Sequence, residues 1–76
     1  MSRKEFCVKD GILITYDNAT VCFEDITTAE SILLKNNGEI VHSNFDSTQN
    51  EYYQNYLKKI YSAITACRNL DGLESA

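Results

Sequence analysis

The one imidazole of this 76-residue chain, His42, and its three cysteines, Cys7, Cys22 and Cys67, are the side chains with most chemistry to offer. Nucleophilic or general acid–base catalysis needs a nucleophile or base together with a partner that orients it. No companion stands at local spacing from His42, and a lone histidine is more often a surface or structurally hydrogen-bonded residue. Cys22, next to Phe23, and Cys67, on an apolar stripe, read as small buried hydrophobes. Neither has the helix N-terminus or neighbouring cations that would make a reactive thiolate. A very small enzyme using His42 and a cysteine is therefore the alternative reading rather than the main one.

The same four groups are zinc ligands by type. Structural zinc sites draw their ligands in close pairs such as C-x2-C, and these four stand singly. Glu24, Asp25 and Glu30 lack the alternating ligands and central glycine of a calcium loop, and read as a solvated turn. Neither a phosphate-cradling glycine loop nor a dinucleotide fingerprint occurs. The expectation is no catalytic residue, no bound metal and no cofactor.

Composition bounds the rest. A chain of 76 residues makes one domain, 1–76, and buries only about 60% of its unfolded surface, which leaves little for a deep cleft. A hydrophobic share of 43%, with 24% charged residues, 3 glycines and no proline, is the composition of a folded globule. Unpaired cysteines fit a reducing compartment. The opening "MSRKEF" carries no apolar run, and "ILI" and "ILL" are far too short for a signal peptide or a membrane span. A cytoplasmic protein without membrane contact is expected, in which Asn18-Ala19-Thr20 is a turn entering a strand rather than a glycan acceptor. The net charge of −4 repels phosphate backbones, so direct nucleic-acid binding is not expected. An acidic nucleic-acid mimic stays as a further alternative, weakened because 7 Lys and Arg are interspersed with 11 Asp and Glu.

The elements that position these groups are dictated by turn chemistry and periodicity. Lys9-Asp10-Gly11 as a three-residue loop pairs Val8 with Ile12 and Phe6 with Ile14. Asp17-Asn18 as a two-residue turn pairs Ile14 with Val21 and Ile12 with Phe23. Both registers put Phe6, Val8, Ile12, Ile14, Tyr16, Ala19, Val21 and Phe23 on one face, and a one-residue slip would scatter them. Residues 28–36 have two readings. Thr27-Thr28-Ala29-Glu30 resembles a capping box that would open a short helix ended by Gly38. The favoured reading is a hairpin through Asn36-Asn37-Gly38, with Lys35 facing Glu39, Leu34 facing Ile40 and Ile32 facing His42.

Beyond it, Tyr53, Leu57, Ile60, Ile64 and Cys67 recur at helical spacing. Asp46, Ser47 and Thr48 can each cap that helix, Thr48 with Glu51 forming a capping box, and Gly72 is placed to end it. The predicted fold is α+β: an antiparallel β-meander of four to five strands over about residues 5–45, packed on one long C-terminal helix over about 48–70.

With catalysis set aside, function falls to the surface. Tyr52 and Tyr56 flank the helix stripe with Lys59 beyond them, and tyrosine suits interfaces because it gives large contact area at low entropic cost. The sheet's reverse face offers Leu13, Thr15 and Thr20 beside Cys7 and Cys22, with Leu33 and Val41 extending the patch. Its apolar content suggests either a partner or a homodimer. The expected function is that of a small non-enzymatic regulator or inhibitor occupying a surface of another, larger protein. Phage-encoded blockers of host defence enzymes are one version, drawn from size and composition only.

Overall fold

The computed structural model describes residues 3–75, with side chains described for residues 3–70. Five strands, β1 (Lys4–Lys9), β2 (Ile12–Tyr16), β3 (Thr20–Asp25), β4 (Ser31–Lys35) and β5 (Ile40–Ser43), precede one helix, α1 (Ser47–Ser75). The strands form a single antiparallel sheet in sequence order, a meander, and α1 lies across one of its faces. The fold is the α+β arrangement expected, and residues 31–35 are strand rather than helix.

The core lies between sheet and helix. Ile14, Tyr16, Val21, Phe23, Ile32 and Leu34 come from the sheet, Tyr53, Leu57 and Ile64 from the helix stripe, and Phe45 from the connection between them. Ile60 and Cys67 of the stripe pack partly buried against this set. Phe23 is the hub, with Tyr53 at 5.0 Å and Tyr56 at 5.6 Å between ring centroids.

The turns differ from expectation in instructive ways. Asp10 and Gly11 both take positive φ, 54° and 78°, so the first hairpin closes on a two-residue turn with Lys9 opposite Ile12. The residue removed from the turn reappears as a bulge at Phe6, beyond which Glu5 faces Thr15. Phe6 and Cys7 consequently both pack against the core, whereas Val8, expected inside, faces out and is 52% exposed.

In the second hairpin the tip is Asn18-Ala19. The Asp17 carboxylate accepts the Ala19 and Thr20 amides at 2.9 and 2.8 Å, and Tyr16 faces Val21. That shift of two positions preserves which side chains point inward, although Ala19 ends up exposed at the tip. The loop through Gly38 stands as expected, with Leu34 facing Ile40 and a Lys35–Glu39 ion pair at 3.7 Å. A bulge at Val41 then moves His42 opposite Leu33 and Ser43 opposite Ile32, correcting the expected Ile32–His42 pair.

No helix forms at Thr28. Residues 25–30 make a tight loop in which Asp25 accepts the Thr27 and Thr28 amides, Ala29 has a φ of 65°, and the Asp25 amide donates to the Glu30 carbonyl. Asp46 caps α1 by accepting the Gln49 amide at 2.8 Å. The helix runs on through Gly72, which does not end it. Its 29 residues span about 43 Å, against about 19 Å across five strands, so α1 overhangs the sheet. No helix among the described residues is long and apolar enough to cross a membrane.

Candidate protein-binding cleft

The helix is tied to the sheet by polar contacts in its first two turns and again in its last third. Ser43 Oγ meets Asn50 near its start, Gln54 Nε2 donates to the Gly38 carbonyl at 2.8 Å, and Arg68 Nε donates to the Asp17 carbonyl at 2.7 Å. This path brings one flank of α1 beside the β1–β2 turn. Tyr52, Tyr53 and Tyr56 then wall a small cleft with Lys9, Asp10, Ile12, Ile14 and Phe23. The cleft holds about 80 Å³ and opens into a shallower groove of about 390 Å³ that continues past Lys59 and Ile60.

The tyrosines of the cleft are in ring contact. Tyr52 is 58% exposed, yet its ring stands edge-on to Tyr53 at 5.1 Å and to Tyr56 at 6.0 Å. Burial, reinforced by the neighbouring Tyr52 and Asp25, pushes the Tyr53 hydroxyl above its usual range, so it stays protonated and able to donate. Lys9 and Lys59 flank the opening, and neither is in an ion pair among the described residues. On the opposite flank, Tyr61, Lys58 and Gln54 line a separate groove of about 210 Å³ against the β4–β5 turn.

Tyr52, Tyr56 and Lys59, singled out by helical spacing, are therefore neighbours on one groove. Lys9 and Asp10 carry no local signal for this site because they come from a turn some forty positions away, and only the seating of α1 brings them in. The remaining candidates, Leu13, Thr15 and Thr20, lie on the open face of the sheet. Arg3 joins two of them: its guanidinium donates to Thr15 Oγ1 at 3.0 Å, to Thr20 Oγ1 at 2.8 Å, and to both backbone carbonyls. Leu13 stands apart, facing Val8 on one side and Glu24 on the other.

That open face is mixed. Glu5, Thr15, Cys22, Leu33 and His42 form one row across all five strands. Its apolar members are only half-buried. Cys7, expected there, lies on the core side with Cys67, while Cys22 and His42 are on the open face with Leu33 between their strands. The four groups of zinc-ligand type are thus divided between two faces. Burial pushes the Cys22 thiol up, and Glu24 adds to this, against smaller opposing effects of Arg3 and Thr15. His42 and Cys22 are two strands apart, about 10 Å, well beyond hydrogen-bond reach.

The carboxylates are dispersed and several are occupied. Asp17 pairs with Arg3 at 3.0 Å, Glu39 with Lys35, and Asp25 and Asp46 hold backbone amides of a loop and of the helix start.

Compared with known proteins, the chain matches no family model, no curated protein and no solved structure. The cleft must be read from its own chemistry. At about 80 Å³ it has the volume of about three waters. A pocket that engulfs a small molecule holds roughly 300–1,000 Å³ and buries most of its ligand. The cleft alone is below that range, and the groove it opens into, at about 390 Å³, is within it but shallow.

Proposed function

We propose that the chain is a protein-binding module without catalytic activity of its own, a regulator or inhibitor that occupies a surface of a larger protein. The observation that supports this reading is the tyrosine cleft: Tyr52 in ring contact with Tyr53 and Tyr56 beside Ile12, opening into a shallow surface groove rather than an enclosed cavity. The separation of His42 from the cysteines supports it against the small-enzyme reading, and the scattered, partly occupied carboxylates support it against nucleic-acid mimicry.

The test is capture of partners from the native host with wild type, Tyr52→Ser/Tyr56→Ser and His42→Ala. Loss of the captured protein with the double serine variant alone supports the cleft. An enzymatic activity lost in a folded His42→Ala protein that still captures its partner would sink the reading in favour of the small enzyme.

Self-association through the open face is a second reading. It is favoured by Leu13, Cys22 and Leu33, half-buried diagonal and direct neighbours over which the described residues place no other element. Glu5 and Glu24 on the same face oppose it, because a symmetric partner would bring like charges together.

A further inference from the structure

We infer that the tyrosine cleft and its groove take an acidic peptide segment, with an apolar side chain seated between Ile12, Tyr52 and Tyr56 and neighbouring carboxylates held by Lys9 and Lys59. The inference rests on the protein-binding reading above and adds the chemistry of the partner. Its first ground is charge. The chain carries a net −4, yet the two lysines flank this opening unpaired among the described residues, with Asp10 the one carboxylate in the lining. Asp10 and Asp25 lie beside the deeper cleft, but the groove past Lys59 is lined by two lysines and no carboxylate, so on an acidic molecule it is the groove that is complementary to a segment rich in Asp or Glu.

The second ground is shape and residue type. The cleft beside Ile12 has room for one small aliphatic side chain, and the groove past Lys59 and Ile60 lets the chain continue. Tyrosine has few rotatable bonds to order on binding, and its hydroxyl can donate to a carboxylate. Strand addition, the other common way to hold a peptide, is obstructed because both edge strands, β1 and β5, carry a bulge that breaks the ladder. Two tyrosines and two lysines could also stack and pair a single-stranded nucleotide. Two cations on an acidic globule supply too little of the counterion-release term to favour that class.

The test titrates the isotope-labelled full chain with three probes and tracks its amide resonances. These are a capped pentapeptide of alternating glutamate and leucine, its glutamine counterpart, and a short oligothymidylate. The acidic peptide is expected to shift Lys9, Tyr52, Tyr56 and Lys59 saturably, more weakly as salt is raised, and to bind at least about 5-fold tighter than the glutamine peptide. Lys9→Gln and Lys59→Gln should each weaken it by about 1.5- to 5-fold, the range for an exposed ion pair, while Lys58→Gln on the other flank leaves it unchanged. Equal binding of both peptides in the cleft overturns the acidic preference and leaves the cleft reading standing. Shifts centred elsewhere, or no shift with either peptide, overturn both, and tighter binding of the oligothymidylate in the cleft assigns base stacking instead.

Discussion

Arg3 and Arg68 approach the β2–β3 turn from opposite faces of the sheet and donate to the same carbonyl, that of Thr20, at 3.3 and 3.2 Å. Arg3 lies on the open face with Thr15, and Arg68 reaches down from α1 to the Asp17 carbonyl as well. The start of the described chain and the last third of α1 are thus fastened to one turn. Hydrogen bonds from a charged group contribute about 1.5–3 kcal/mol when well shielded. The Arg3 side chain is 29% exposed, so Arg3→Ala and Arg68→Ala should each cost about 1–2 kcal/mol in urea denaturation. Because either loss loosens the turn that both grip, the double variant should fall short of the sum by about 0.5 kcal/mol or more. Strict additivity would mean that the two grips are independent.

The same turn should make stability sensitive to acid. Burial pushes the Asp17 carboxyl up, but hydrogen bonds from Ala19 and Thr20 and the Arg3 charge outweigh it, and the group sits below its ordinary value of 3.8. A carboxyl depressed in the folded state is protonated first in the unfolded chain. Its contribution is complete above the ordinary value and is lost as pH falls through the folded one. Urea midpoints recorded from pH 6 downward should therefore drop more steeply in wild type than in Asp17→Asn once pH passes below 3.8. Parallel curves would remove Asp17 from the account.

Phe23 is fully buried and touches two helix tyrosines, so Phe23→Ala removes the contact that seats α1 on the sheet. The expected cost is about 3–5 kcal/mol. A 76-residue domain has a total of about 4–11 kcal/mol, so this variant should be largely unfolded or close to it by circular dichroism at 37 °C. A loss under about 1 kcal/mol would place the helix elsewhere.

Leu13→Lys probes the open face. With Leu13 beside Glu24 and no element of the described residues laid over it, the variant should fold and lose no more than about 1 kcal/mol. A loss of several kcal/mol would show that the face is covered. Sedimentation of the same pair tests self-association: a wild-type dimer that the lysine variant converts to monomers supports it, and a monomeric wild type up to millimolar concentration ends it.

How much of this was legible in the sequence differs from element to element. The helix stripe of Tyr53, Leu57 and Ile64 was readable because the α-helical period depends on local backbone geometry alone. So was the inward set Ile12, Ile14, Tyr16, Val21 and Phe23, which survived a misjudged turn because a shift of two positions leaves the alternation of a strand unchanged. Val8, Cys7 and His42 were misread for the converse reason. On β1 the first turn is one residue shorter than expected, which reverses the alternation of Cys7 and Val8 as far as the bulge at Phe6, and on β5 the bulge at Val41 reverses it at His42. Tyr52, Tyr56 and Lys59 could be grouped from spacing, since they share one helix. Lys9 at the mouth of the cleft, and the meeting of Arg3 with Arg68 at Thr20, were decided only in three dimensions. Where a long helix seats on a sheet depends on the packing of whole faces, here with Phe23 against Tyr53 and Tyr56, and no local pattern in the chain encodes it.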